Sequence, residues 1–128
     1  MTTVLCTNAY KAAYKANKAR TKNNSLPIAS TMLIRHHDHH MLFTPFAWKE
    51  HAELTEAIPA RIDGDEWSTC VPAKPFIDWL RVTQLGRGEN DQIELTFRDE
   101  IQMLYIKAGN ARAEFKCLDA MEFPTFQD

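Results

Sequence analysis

The stretch from Glu66 to Leu118, EWSTCVPAKPFIDWLRVTQLGRGENDQIELTFRDEIQMLYIKAGNARAEFKCL, decides the fold. Its opening, Glu66 to Val71, is rich in β-forming residues. Pro72 to Leu85 then reads as a helix, with Pro75 tolerated in the first turn and Phe76, Ile77, Leu80 and Leu85 spaced to form an apolar face. Gly86 to Asp91 is a loop. Three alternating runs follow, Gln92 to Arg98, Glu100 to Ala108 and Ala111 to Leu118. Asp99-Glu100 and Gly109-Asn110 separate them as tight turns. The order is strand, helix, three strands.

Outward from that stretch, the first half repeats the order. Thr3 to Thr7 is a short strand, and Asn8 to Arg20 (NAYKAAYKANKAR) is a helix with an alanine-rich interior and Asn8 as its N-cap. Thr21 to Ser25 breaks it. Leu26 to Arg35 and Met41 to Phe46 are two further β-rich runs, with His36 to His40 falling where a hairpin turn belongs. Glu53 to Ile62 is the third, closed by the turn signal Asp63-Gly64-Asp65. Neither half has enough apolar surface to stand alone, so both are expected to share one core beneath the two helices. The class is α+β, a doubled β-α-β-β-β with two helices on one side of antiparallel sheet.

The chain of 128 residues suffices for one domain, and 45% apolar with 25% charged residues is average for a globular protein. No run of about eighteen apolar residues is present to span a membrane. The first residues lack a basic segment followed by an apolar core, so no secretory signal is read. The three cysteines, Cys6, Cys70 and Cys117, are far apart in apolar runs and read as buried free thiols. The expected location is cytoplasmic.

The formal net charge of −2 conceals a polarised chain. Residues 1 to 37 carry Lys11, Lys15, Lys18, Arg20, Lys22 and Arg35 without one acid, whereas the rest carries all 17 acids. Lys11, Lys15, Lys18 and Lys22 are spaced i, i+4, i+7, i+11, which places them on one helical face. Ala9, Ala12, Ala13, Ala16 and Ala19 lie opposite. A face shaped for solubility usually mixes signs, and this one has no acid at i±4 to relieve the repulsion. A row of cations suits a polyphosphate backbone, where each neutralised phosphate releases counterions. On the second helix Lys74 and Arg81 share a face, with Asp78 between them. No Arg/Asn/Gln cluster for reading bases is evident, so sequence-independent backbone contact is expected.

The run Arg35 to Met41, RHHDHHM, raises the rival reading of a small metal-dependent enzyme. Imidazole is a common metal ligand, which makes His36, His37, His39 and His40 metal candidates. Side chains splay outward around a hairpin tip, however, and convergence on one ion needs partners from elsewhere. A solvated turn without metal is the expectation. No glycine-rich phosphate loop, nucleophile elbow or EF-hand pattern is present, and no cofactor or catalytic residue is assigned.

Four motifs stand in register: SLPIASTMLI (Ser25 to Ile34), VPAKPFIDWLRV (Val71 to Val82), MLYIKAGNARAEFKCL (Met103 to Leu118) and FPTF (Phe123 to Phe126). Together they resemble the first domain of bacterial sliding clamps, the beta subunit of DNA polymerase III. The resemblance implies two helices packed on curved sheet, and domains joined into a closed ring of six with helices lining the hole. It implies a ring around duplex DNA that tethers the replicative polymerase without catalysis. Lys11, Lys15, Lys18, Lys22, Lys74 and Arg81 would then face the DNA. Clamps commonly place an arginine in the loop before the leucine-proline, where this chain has Asn23-Asn24; Asn23, Arg20 and Lys22 stand nearest that role. Phe46-Ala47-Trp48 replaces the family's threonine-aspartate-leucine, and a changed loop or a local helix is expected there. Such clamps carry three domains per chain and hold polymerase and loader peptides in later ones. The expectation is therefore a single clamp domain over residues 1–128 excised from a longer chain that pairs as a homodimer, the rival being a standalone clamp-fold DNA-binding or regulatory module.

Overall fold

The computed structural model describes residues 1–20, 27–47, 54–85 and 91–123. The strands are β1 (Thr2–Leu5), β2 (Thr31–His37), β3 (His40–Pro45), β4 (Glu56–Pro59), β5 (Arg61–Ile62), β6 (Ser68–Pro72), β7 (Gln92–Arg98), β8 (Met103–Ala108) and β9 (Ala111–Lys116). Two helices, α1 (Cys6–Lys18) and α2 (Ala73–Leu85), follow β1 and β6. One antiparallel sheet has the order β5-β1-β7-β8-β9 and the other β4-β3-β2-β6.

The expected repeat is present, and its first strands are exchanged. β1 pairs with β7 of the second half (Thr3 opposite Glu94), while β6 pairs with β2 of the first (Leu33 opposite Cys70). Each half thus completes the other's sheet. The sheets also meet directly, where Cys70 N–H donates to Leu118 O and Leu118 N–H to Cys70 O, at 3.0 and 2.9 Å. Burial holds the Cys70 thiol at about 12, well above an ordinary cysteine, and raises that of Cys117. All three cysteines are buried.

Alternation sets which side faces inward. Ile93 and Leu95 of β7 and Leu104, Ile106 and Ala108 of β8 are buried, with exposed or half-buried residues between them. Ala9, Ala12, Ala13 and Ala16 are buried along α1, and small side chains let that helix lie close to α2 and the sheet. On α2 the buried residues are Ala73, Phe76, Ile77 and Leu80. Phe76 stacks on Phe43 of β3 at 6.4 Å and meets Phe115 of β9 edge-on at 5.9 Å. One ring therefore ties both sheets to a helix.

Several boundaries differ from the sequence reading, each for a local reason. Helix α1 begins at Cys6 rather than after an Asn8 cap, because the β1 backbone runs straight into it and Cys6 N–H donates to Asp91 O at 2.9 Å. It ends before Ala19, which is exposed. Leu85, expected on the apolar face of α2, is 73% exposed at its last turn. Pro27–Ser30 is a 3-10 turn instead of the start of a strand; the Ser30 and Thr31 hydroxyls donate to the Pro27 and Ile28 carbonyls at 2.8 and 2.7 Å. Glu53 to Ile62, read as one strand, is two in different sheets. Pro59 lacks an N–H to extend β4, and Ala60 N–H turns to His39 O at 2.9 Å. Asp99–Ile101 forms a 3-10 turn before Gln102 at φ 50, so β8 starts at Met103 rather than Glu100. Trp48 to Glu53, where a changed loop or local helix was expected, lie outside the described residues; Phe46 and Ala47 are buried.

The histidine run is the largest correction. The tip itself is Asp38-His39, at φ 50 and 60, the left-handed pair that matches strand twist in a two-residue hairpin. His36 is no solvated turn residue: it is 2% exposed within β2. Its Nδ1 lies 2.7 Å from Thr2 Oγ1, and Trp67 Nε1–H donates to the same oxygen at 2.9 Å. The imidazole thereby joins β1, β2 and the approach to β6. Burial lowers its pKa from the ordinary 6.5, opposed by Glu66 and assisted by the amino terminus and His39.

Two outcomes follow from this packing. Phe76→Ala should cost about 3–5 kcal/mol, read as a lowered urea midpoint at unchanged slope; a loss below roughly 1 kcal/mol would show that the ring does not bridge the sheets. The depressed His36 pKa means that the unfolded chain binds its proton first. Stability from this group is intact above pH 6.5 and is lost as pH falls through the lower folded value. Urea midpoints taken from about pH 7.5 down to 5 should fall, and His36→Gln should flatten that fall. An equal pH dependence in the variant would relieve His36 of the role.

Candidate nucleic-acid interface

Helices α1 and α2 pack on each other and on the sheets, which leaves their remaining faces to solvent. Lys11, Lys15 and Lys18 are exposed on α1, and Lys74 and Arg81 on α2. Helical spacing brings the three lysines to one stripe, as the sequence implies. Lys22 and Asn23 lie outside the described residues.

Side chains modify the stripe in ways that spacing does not reveal. Lys15 Nζ lies 3.5 Å from Glu56 Oε1 of β4, so an acid from another element supplies the relief absent along the helix. Such an exposed pair is weak and easily exchanged for another anion. Lys18 Nζ sits 4.6 Å from the ring centre of Tyr14, itself 47% exposed, and Tyr14 lies 5.8 Å from Tyr10. Tyr14 draws that cation along the helix, and Tyr10 packs against the Tyr14 ring. Arg20 behaves differently. It is half-buried and points a guanidinium N–H at the Ala29 carbonyl, 3.5 Å away, which ties the end of α1 to the turn before β2.

Lys11, Lys74 and Arg81 have no ion-pair partner among the described residues. The surface offers exposed cations on two neighbouring helices, with no nucleophile placed among them in the described residues. Such a surface can attract an extended anion. The C-terminal turn of α2 adds Val82 and Leu85, 64% and 73% exposed, beside Arg81.

Two other histidines of the run, His37 and His40, serve local ends. His37 Nδ1 lies 3.5 Å from Glu66 Oε2, whose carboxylate also accepts from Asp38 N–H at 2.9 Å. That backbone donor is the main reason the Glu66 pKa lies below its ordinary value. His40 Nδ1 lies 2.8 Å from Asp38 O. Among the described residues no three His, Cys, Asp or Glu side chains are placed to share a metal ion. The metal-enzyme reading therefore finds no support in the geometry of His36, His37, His39 and His40.

Sequence reasoning brought the stripe together and missed Glu56, which reaches Lys15 across 41 positions. No local signal marks such a contact.

Solved structures share this fold. The DNA polymerase III subunit beta from Pseudomonas aeruginosa superposes with a TM-score of 0.80 at 19% identity, over 100% of this chain and 33% of its own. The DNA polymerase sliding clamp from Caulobacter crescentus gives 0.80 at 21% identity, over 100% and 33%. A sliding clamp from Bartonella birtlesii, bound to griselimycin, gives 0.80 at 20%, over 100% and 32%. The chain thus spans about a third of the length of these proteins. No curated protein matches it. The family described as DNA polymerase III beta subunit, N-terminal domain, matches residues 4–127. Nearly every residue falls within that match, and the chain belongs to this family.

Proposed function

We propose that this chain acts as one domain of a DNA sliding clamp, the first of a longer clamp chain whose domains close into a ring around duplex DNA. The observation that carries the reading is the row Lys11, Lys15 and Lys18 on α1 beside Lys74 and Arg81 on α2, all exposed on adjoining helices. Lys22 and Asn23 extend the proposed contact, and Arg20 supports it from the end of α1. The absence of base-reading geometry among the described residues is an asset for a ring that must slide, because phosphate contacts position without specifying.

The role is non-catalytic: processivity comes from enclosure, and the replicative polymerase and the loader engage domains beyond this one. The proportion of the relatives' length covered here, about a third, supports reading this chain as one domain of several, and the proposed ring forms when such a chain pairs with a second copy. Strands β4 and β9 lie at sheet edges, where another domain can add its own strands. A cytoplasmic location fits the three buried cysteines. No helix of the described residues is long and apolar enough to cross a membrane.

Two measurements check this reading. Lys11→Glu with Lys15→Glu should weaken association with duplex DNA and reduce its log–log salt slope by roughly one for each phosphate that is no longer neutralised. An unchanged slope removes the stripe from the interface. The native protein, loaded on closed circular DNA, should stay bound until the circle is linearised. Equal retention on linear and circular DNA would mean a standalone binding module rather than a ring.

A further inference from the structure

The strand ends remote from the strand–helix junctions surround an open cleft of about 730 Å3. β1 and β6 start at it, and β2 and β7 end at it, so it lies where the two exchanged halves meet. Its volume is that of an ordinary ligand site. Nothing in the DNA interface uses it.

Five carboxylates line this cleft: Asp63, Asp65, Glu66, Asp99 and Glu100. Their neighbours neutralise them only in part. His37 and the Asp38 N–H engage Glu66, and Arg98 lies 3.8 Å from Glu100. Among the described residues Asp63 and Asp65 have no ion-pair partner, and Asp99 accepts only from the neutral Gln102 amide, at 3.0 Å. The cleft therefore carries an excess of negative charge, although Arg35 and the Met1 ammonium, which donates to the Asp63 carbonyl, also border it. Trp67 and Phe97, stacked at 5.7 Å and 28°, give it an aromatic wall.

A second observation concerns His36, which also lines the cleft and is 2% exposed. Its Nε2 is buried without any hydrogen-bond partner. Thr2 Oγ1 accepts the Trp67 N–H and, with its proton and second lone pair, can serve either tautomer of His36 at Nδ1. In both tautomers Nε2 is left unmet, as a donor in one and an acceptor in the other. A buried polar atom left unmet is costly, so a hydrogen-bonding group arriving from the cleft gains there.

Three demands define the occupant: cations for the carboxylates, a flat or aliphatic group for Trp67 and Phe97, and a backbone N–H or carbonyl for His36. Arginine or lysine in an extended peptide supplies all three, through its head, its stem and the backbone. Nucleic acid is repelled by the carboxylates. A bare divalent ion leaves the aromatic wall unused, and no three ligating side chains converge among the described residues. We propose that this cleft is a docking site for an extended basic peptide segment of a partner protein.

The test uses the whole protein and a fluorescein-labelled hexa-arginine peptide, with hexaglutamate as control. Anisotropy should show saturable one-to-one binding, and the His36 Nε2 nitrogen resonance should shift on addition of peptide. Asp65→Asn with Asp99→Asn should weaken binding by roughly tenfold, about 1.4 kcal/mol. Glu94→Gln with Glu114→Gln removes the same charge from exposed positions on β7 and β9 and should leave binding unchanged. Equal weakening by both pairs would overturn the proposal, because general acidity would then be the cause. So would an unmoved His36 resonance, no saturable binding, or displacement of the peptide by calcium at a single shared site. Both variant pairs lie at surface positions, and unchanged thermal melting confirms that they fold. The DNA stripe is absent from this test, so its outcome is independent of the clamp reading.

Discussion

The exchange of first strands is the constraint on which the rest depends. A three-stranded meander with a helix leaves one sheet edge unpaired and one apolar face uncovered. Here β1 closes the second half's sheet and β6 closes the first's, so neither half has a native structure without the other. The exchange also explains how the described residues build two sheets and two helices around one main core. Phe76 stands at the crossing, with Phe43 from one sheet and Phe115 from the other against its ring. Such a core should unfold as a unit, because removal of either first strand opens both layers.

The same exchange positions the helices. Each helix follows directly on an exchanged strand, so strand pairing across the halves brings α1 and α2 side by side. Alanines on α1 make close approach possible, and the lysines consequently face outward. The charge pattern is thus a by-product of packing before it is an interface: an exposed polar position on α1 can carry function at little cost to the core. Glu56 then tempers one lysine of the row without neutralising it. A contact surface that must release as easily as it binds gains from such a weak internal competitor.

Periodicity made much of this legible. The seven-residue alternation of Gln92 to Arg98 and the Phe76-Ile77-Leu80 face are strong signals because one side of each is buried. The doubling of the architecture is visible for the same reason, and so is the lysine stripe, which depends on helical geometry alone. What the sequence hides is long-range. The split of Glu53 to Ile62 between two sheets is set by Ala60 bonding to His39, and no window of residues contains that pair. The N-terminus of α1 escaped because its first donor is met by Asp91, 85 positions away, rather than by a capping side chain. Pro27–Ser30 was misread because β-branched and apolar residues share a run with a proline and two hydroxyls that prefer to bond locally.

His36 shows why a cluster of chemically suggestive residues misleads when its register is unknown. In an antiparallel pair adjacent residues point to opposite faces, so two histidines next to each other in sequence cannot share an ion. His36 pairs with Met41 and goes to the core side, while His37 pairs with His40 at the exposed end. The run of imidazoles is thereby divided among the interior, the tip and the surface. The buried member, whose ring is held by Thr2 where the two halves join, is the one that carries a structural consequence. A polar group is tolerated there because its Nδ1 is satisfied, while its Nε2 stays unmet at the border of the cleft. Where local rules are broken at the joint between two exchanged units, a requirement from outside the core is the natural place to look for the reason.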